Sequence, residues 1–138
     1  MNGKQADPIT ELLRRVHTIA VVGLSNDPMR DSYRVAAYLQ SQGYRIIPVN
    51  PLLPEALGEK AYPTLLAIPA EEKIDLVDIF RRSEYVEPVV EEAIQRHIPA
   101  IWMQETVIHE GAAQRARAAG IFVVMDRCIL KEHRARRP

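Results

Sequence analysis

The sequence predicts an α/β fold: a Rossmann-like, doubly wound parallel sheet of five strands with helices on both faces. Three observations predict it. Short, continuous apolar runs rich in β-branched residues recur along the chain, as in Thr18 to Gly23 (TIAVVG), the pattern of strands covered on both faces. Amphipathic stretches of helical period separate these runs. Gly43 and Gly120 stand where two of those stretches should stop. Strand alternating with helix implies right-handed crossovers and a parallel sheet layered between helices.

Taken in order, Asp7 caps and Pro8 opens a leading helix over 8–16, with Ile9, Leu12, Leu13 and Val16 on one face. Thr18 to Gly23 is the first strand, and Asp31 to Gln42 the helix behind it, placing Val35, Ala36 and Leu39 inward. Tyr44 to Val49 (YRIIPV) is the second strand, where Pro48 removes a ladder donor and marks an edge or an end. Asn50-Pro51 turns the chain into Leu52 to Pro69, a loop rich in proline and glycine with a short helical turn at Thr64 to Leu66. Asp75 to Phe80 is the third strand, Ser83 to His97 a long helix, Ala100 to Met103 the fourth strand. Ile108 to Ala119 is the last helix and Ile121 to Val124 the fifth strand, leaving Lys131 to Arg137 as a basic, frayed tail. The expected strand order is 3-2-1-4-5, with the flavodoxin-like 2-1-3-4-5 as the alternative.

The 138 residues suit a single domain, 1–138, with a core over about 16–134. Eighteen Lys plus Arg balance eighteen Asp plus Glu, which argues against bulk attraction to nucleic acid or anionic membrane. Any anion must be caught locally. The one cysteine, Cys128, has no partner for an internal disulfide, Met1 to Asp7 lacks the order of a signal peptide, and no apolar run is long enough to span a bilayer. A cytoplasmic protein is expected.

In either strand order the ligand crevice lies beyond the carboxyl ends of the strands, where the order reverses. Those ends present Gly23 with Ser25, Asn50 with Pro51, Arg81 with Arg82, Gln104 with Glu105, and Asp126 with Arg127. Gly23 lets a phosphate approach the backbone, and the following helix offers free N–H groups. The full G-x-G-x-x-G fingerprint is absent, because Ser25 stands at its second glycine, and a glycine here also serves a plain tight turn. NAD-binding domains usually end the second strand in Asp or Glu; Asn50 stands there instead, which suits a phosphorylated ribose better, although Asn-Pro is also a common turn signal. Arg30, Arg34, Arg81 and Arg82 concentrate positive charge near two strand ends.

No catalytic residue is singled out. The four histidines form no close-spaced metal motif with each other, Cys128 or a carboxylate, and Ser25 does not sit in a nucleophile elbow. His109-Glu110 reads as a helix start. Cys128 reads as a small packed residue under the final segment, with a mixed disulfide to a ligand thiol as the other reading. Trp102 and Met103 read as strand core, leaving Gln104 free to reach a ligand.

The segments GLSNDPMRDSYRVAAYLQSQGYRIIPVNP, LGEKAYPTL, DLVDIFRR, IWMQETV and AAGIFVVMDRC together resemble the CoA-binding domain family, the stand-alone relative of the nucleotide-binding domain in the succinyl-CoA synthetase alpha subunit. The resemblance covers roughly Val16 to Arg134. It implies a Rossmann-like fold binding coenzyme A, or an acyl-CoA, across the carboxyl edge of the sheet. By position, Gly23 and Ser25 would face the diphosphate, with Arg30 and Ser32 at the start of the next helix. Asn50 and Pro51 would lie beside the adenosine, Phe80, Arg81 and Arg82 at the third strand end, and Gln104 near the pantetheine arm. The family commonly has glycine after its W-x-Q segment, where this chain has Glu105-Thr106, and the larger synthetases use a histidine in a second domain that this chain lacks. A CoA-binding protein without its own catalytic machinery follows, with a homodimer or protein partner compatible. The rivals are an NAD(P)-binding oxidoreductase or redox sensor on the same fold, and a ligase subunit that depends on a partner.

Overall fold

The computed structural model describes residues 7–138; the leader reading of Met1 to Asp7 falls outside them except for Asp7 itself. Helix α1 (Pro8–Arg15) starts where Asp7 accepts a hydrogen bond from the Thr10 amide at 3.0 Å, and this bond, with a second from the Thr10 hydroxyl, holds the Asp7 carboxyl down at about 2. Strand β1 (Thr18–Val22), helix α2 (Asp31–Ser41) and strand β2 (Arg45–Val49) follow. A hairpin, β3 (Glu55–Ala56) with β4 (Glu59–Lys60), interrupts the next loop. Then come β5 (Leu76–Ile79), a 3-10 turn at Ser83–Tyr85, α3 (Val86–Gln95), β6 (Ala100–Met103), α4 (Glu110–Ala118), β7 (Phe122–Val124) and α5 (Ile129–Arg136).

The main sheet is parallel, in the order β2-β1-β5-β6-β7. The doubly wound Rossmann-like fold is therefore as expected, but the strand order needs one reassignment. The run Asp75 to Phe80, taken as third strand, pairs with β1 and not with β2, so the five strands alone read 2-1-3-4-5. The place outside β2 is held by a single parallel bridge between Val49 and Tyr62, which restores a 3-2-1-4-5 pattern when Tyr62 counts as the third element. The Tyr62 amide donates to the Pro48 carbonyl at 3.0 Å and the Asn50 amide to the Tyr62 carbonyl at 2.9 Å. Pro48 thus spends its carbonyl on the outer side, where its missing N–H breaks only an edge ladder.

The strands are buried on both faces, as their composition requires. Alternate residues supply two cores. Ala20, Val22, Val77, Ile79, Ile101 and Met103 pack beneath α3 and α4. Ile19, Val21, Leu76 and Trp102 pack beneath α1, α2 and α5. Trp102 is wholly enclosed and its Nε1–H donates to the Arg127 carbonyl at 2.8 Å, satisfying its one polar atom.

The C-terminal segment departs from expectation. Lys131 to Arg137 is no frayed tail: it forms most of α5, which runs against α1 and α2. His133 is buried between the rings of Tyr38 and Tyr44, at centroid distances of 5.3 and 5.7 Å, with Nδ1 2.7 Å from the Tyr38 hydroxyl. Burial lowers the His133 pKa, because desolvation disfavours the charged ring. The segment's basic composition hid an apolar side that Ile129 and His133 supply. The expected helical turn at Thr64 to Leu66 is a run of hydrogen-bonded turns, with Ala67 N bonded to Thr64 O and Ile68 N to Leu65 O, both at 3.3 Å.

Candidate functional site

A cleft of about 1800 Å³ opens across the carboxyl ends of the parallel strands. Of the residues singled out from sequence, Gly23, Ser25, Arg30, Ser32, Asn50, Phe80, Arg81, Arg82 and Gln104 all line it. Pro51 does not, while the neighbouring Leu52 and Leu53 do. Fixed φ makes Pro51 a shaper of the turn.

Gly23 is demanded by packing. Its φ is +86°, and a Cβ there would stand 2.1 Å from the backbone oxygen of Phe80. Its amide is also occupied, donating to the Val49 carbonyl at 2.9 Å, so Gly23 joins three strand ends and offers no N–H to an anion. The donors lie further on. The Ser25 amide donates to the Ser32 hydroxyl oxygen at 2.9 Å, while the Ser25 hydroxyl accepts from the Asp27 amide at 3.0 Å. These bonds fix the loop so that α2 begins at the cleft wall with no side chain capping it. Asp31, Ser32 and Tyr33 all line the cleft, and their amides belong to the first turn, which has no helical acceptor.

Asn50 is held on both sides of its amide. Nδ2 donates to the Leu24 carbonyl at 3.0 Å and Oδ1 accepts from the Leu52 amide at 2.9 Å. It pins the β1–α2 loop to the end of β2, with one Nδ2 hydrogen still directed outward. Gln104 is similarly poised: at 5% exposure its Oε1 accepts from Ile129 N, the first amide of α5, at 3.2 Å. Its Nε2 has no partner among the described residues and faces the cleft.

Positive charge exceeds negative around the rim. Arg34 pairs with Asp31, and Lys131 with Glu105 at 3.2 Å. Arg30, Arg81, Arg82 and Arg134 enter no ion pair with the described residues, against Glu84 alone among the unpaired rim carboxylates. The Arg81 Nε is buried without a hydrogen-bond partner among the described residues. A buried guanidinium hydrogen without an acceptor costs free energy that an anionic ligand oxygen would offset.

The β6–α4 loop explains the departure at Glu105-Thr106. Thr106 adopts φ +70°, the left-handed region that a family glycine would take without strain. It is held there by its amide, which donates to Asp126 Oδ1 at 2.7 Å, and by its carbonyl, which accepts from the Ser83 hydroxyl at 3.3 Å. Three strand ends are tied through this one residue.

Sequence reasoning missed the wall made by α5. Cys128, Leu130, Lys131 and Arg134 all line the cleft. Cys128 is half-buried at the N-cap of α5. Its position at the cleft was legible from the strand-end rule, but its neighbours were not, because they depend on α5 folding back over α2. Among the described residues no group of three or more His, Cys, Asp and Glu comes together as a metal site, and no helix is long and apolar enough to cross a membrane.

With this geometry in view, comparison with known proteins is informative. A family model described as CoA binding domain matches residues 17–134. The chain is 45% identical over 125 residues to the uncharacterized protein YneT of Bacillus subtilis (strain 168), covering 91% of each. It is 34% identical over 84 residues to the alpha subunit of ADP-forming acetate–CoA ligase II of Pyrococcus furiosus, a match spanning 60% of this chain and 18% of that one. A solved structure of a hypothetical protein from Pyrococcus horikoshii OT3 superposes with a TM-score of 0.92 at 38% identity, covering 99% of this chain and 94% of that one.

Proposed function

Because the chain belongs to the CoA-binding domain family, we propose that its cleft binds coenzyme A or an acyl-CoA, and that it acts as a binding protein without catalytic residues of its own. The observation that carries this reading is the buried, unpaired Arg81 Nε on the wall of a cleft whose other side is the uncapped start of α2. Both features call for an anion of several oxygens. The diphosphate takes the first-turn amides of α2 together with Ser25, Arg30 and Ser32. The adenosine lies beside Asn50 and Leu52, with Pro51 setting the turn between them; Phe80, Arg81 and Arg82 hold the middle of the cleft. Gln104 donates Nε2–H to a carbonyl of the pantetheine arm while its Oε1 stays on α5. The match to a ligase alpha subunit supports a protein partner as the source of any group-transfer chemistry.

Calorimetric titration with CoA, acetyl-CoA, ATP and NADP tests the reading. Heat and thermal stabilisation with the two CoA species, exceeding those with NADP, are expected, since a ligand of the folded state stabilises it by an amount that rises with the logarithm of its concentration over Kd. Binding of NADP with none of CoA would overturn it. Arg81→Ala is expected to weaken CoA more than dephospho-CoA, the signature of contact with the 3′-phosphate; equal losses would remove that assignment.

A further inference from the structure

The cleft does not end at the strand tips. It continues along α2, where Arg30, Arg34 and Tyr38 recur at every fourth position and all face it. From Arg30 to Tyr38 this face runs about 12 Å along the helix axis. Opposite Tyr38 stands α5, whose Arg134 places its guanidinium carbon 5.4 Å from the centre of the Tyr38 ring. The Tyr38 ring is itself fixed by its hydroxyl contact to the buried His133. A second hollow of about 500 Å³, lined by Tyr38, His133, Arg134 and Arg137 among others, adjoins the cleft through Tyr38 and Arg134.

The charges along this arm are unequal in their availability. Lys131 and Arg136 on α5 pair with Glu105, and with Asp7 and Glu132. Arg134 pairs with no carboxylate among the described residues and lies over the ring of Tyr38. A guanidinium in cation–π contact with a ring spends none of its N–H donors on that contact, so they stay available to an anion.

We propose that Arg134, seated on Tyr38, binds a second anionic group of the cleft's ligand, remote from the one held at the start of α2. This rests on the coenzyme A reading. An acyl-CoA offers two sources of such a group: the 3′-phosphate of its ribose, which Arg134 would then share with Arg81, or a carboxylate at the far end of its acyl chain.

The test compares the full chain with Arg134→Gln by calorimetry, using CoA against dephospho-CoA and succinyl-CoA against butyryl-CoA. Arg134→Gln should weaken the anion-bearing member of one pair by at least about fivefold while changing its counterpart by less than about twofold. Selectivity in the first pair assigns the phosphate, and in the second the carboxylate. Equal loss across all four ligands, or no loss, overturns the inference while leaving the coenzyme A reading intact. Failure of the unaltered chain to bind any of the four overturns both. Arg134 is exposed, so Arg134→Gln should melt with the parent; Arg134→Lys, which keeps the charge and loses the fork, should retain only part of the selectivity.

Discussion

Asp78 stands at the centre of β5 with 0% exposure and neither carboxylate oxygen hydrogen-bonded. By alternation it shares a face with Leu76 and Phe80, among Val21 and Trp102 on the neighbouring strands. Burial drives its pKa well above the ordinary value of 3.8, because desolvation favours the neutral acid in the folded protein. In the unfolded chain the same group ionises as pH rises through that ordinary value, so stability falls from there upward until the folded group also ionises. Asp78→Asn removes the ionisation, and should gain stability relative to the parent at pH 7 with the advantage shrinking toward pH 4, measured by urea unfolding across that range. An advantage independent of pH would show that the carboxyl is not the source. Arg96 is the opposite case, a charge fully used. Its guanidinium donates to the carbonyls of Leu65, Ile68, Pro69 and Glu72. Arg96→Ala should cost roughly 2 kcal/mol by denaturant unfolding, because buried acceptors lose a charged donor, and Arg96→Lys should recover little of it.

At the level of elements, the apolar runs announced every strand of the main sheet, since a strand buried on both faces leaves an unambiguous composition. The loop from 52 to 75 was not legible. Its order depends on Glu92 of α3, whose carboxylate accepts from the Leu65 amide at 3.0 Å, and on Arg96 at the C-cap of that helix, both far along the chain. The hairpin within it was missed because its turn places Leu57 and Gly58 at φ 53° and 76°, where Asn-Gly is the usual signal. Helix α5 was misread for the same kind of reason, as its stability comes from contacts with Tyr38 and Tyr44 and not from its own periodicity. The strand-end rule led to residues that line the cleft, although Pro51, Asp126 and Arg127 are not among them, and it could not tell that Gly23 serves the backbone of Phe80. Gly23→Ala should therefore lower stability by more than about 2 kcal/mol in thermal unfolding, from positive φ and the collision together. A melting temperature equal to the parent's would mean that the strand ends part easily.

Considered whole, the molecule has no net charge but an uneven distribution of it, with unpaired arginines gathered on one rim. Affinity for CoA should accordingly fall as salt rises from ~0.05 M to ~0.5 M, as expected for exposed charges within a screening length of the ligand. Affinity indifferent to salt would place the ligand off that rim. The sheet that carries this rim ends on one side in a strand broken by Pro48 and shielded by Tyr62, and on the other in the three residues of β7. Neither border can extend a ladder into a neighbouring chain for any useful length. Helix and loop surfaces are then where self-association or recruitment of another protein is expected.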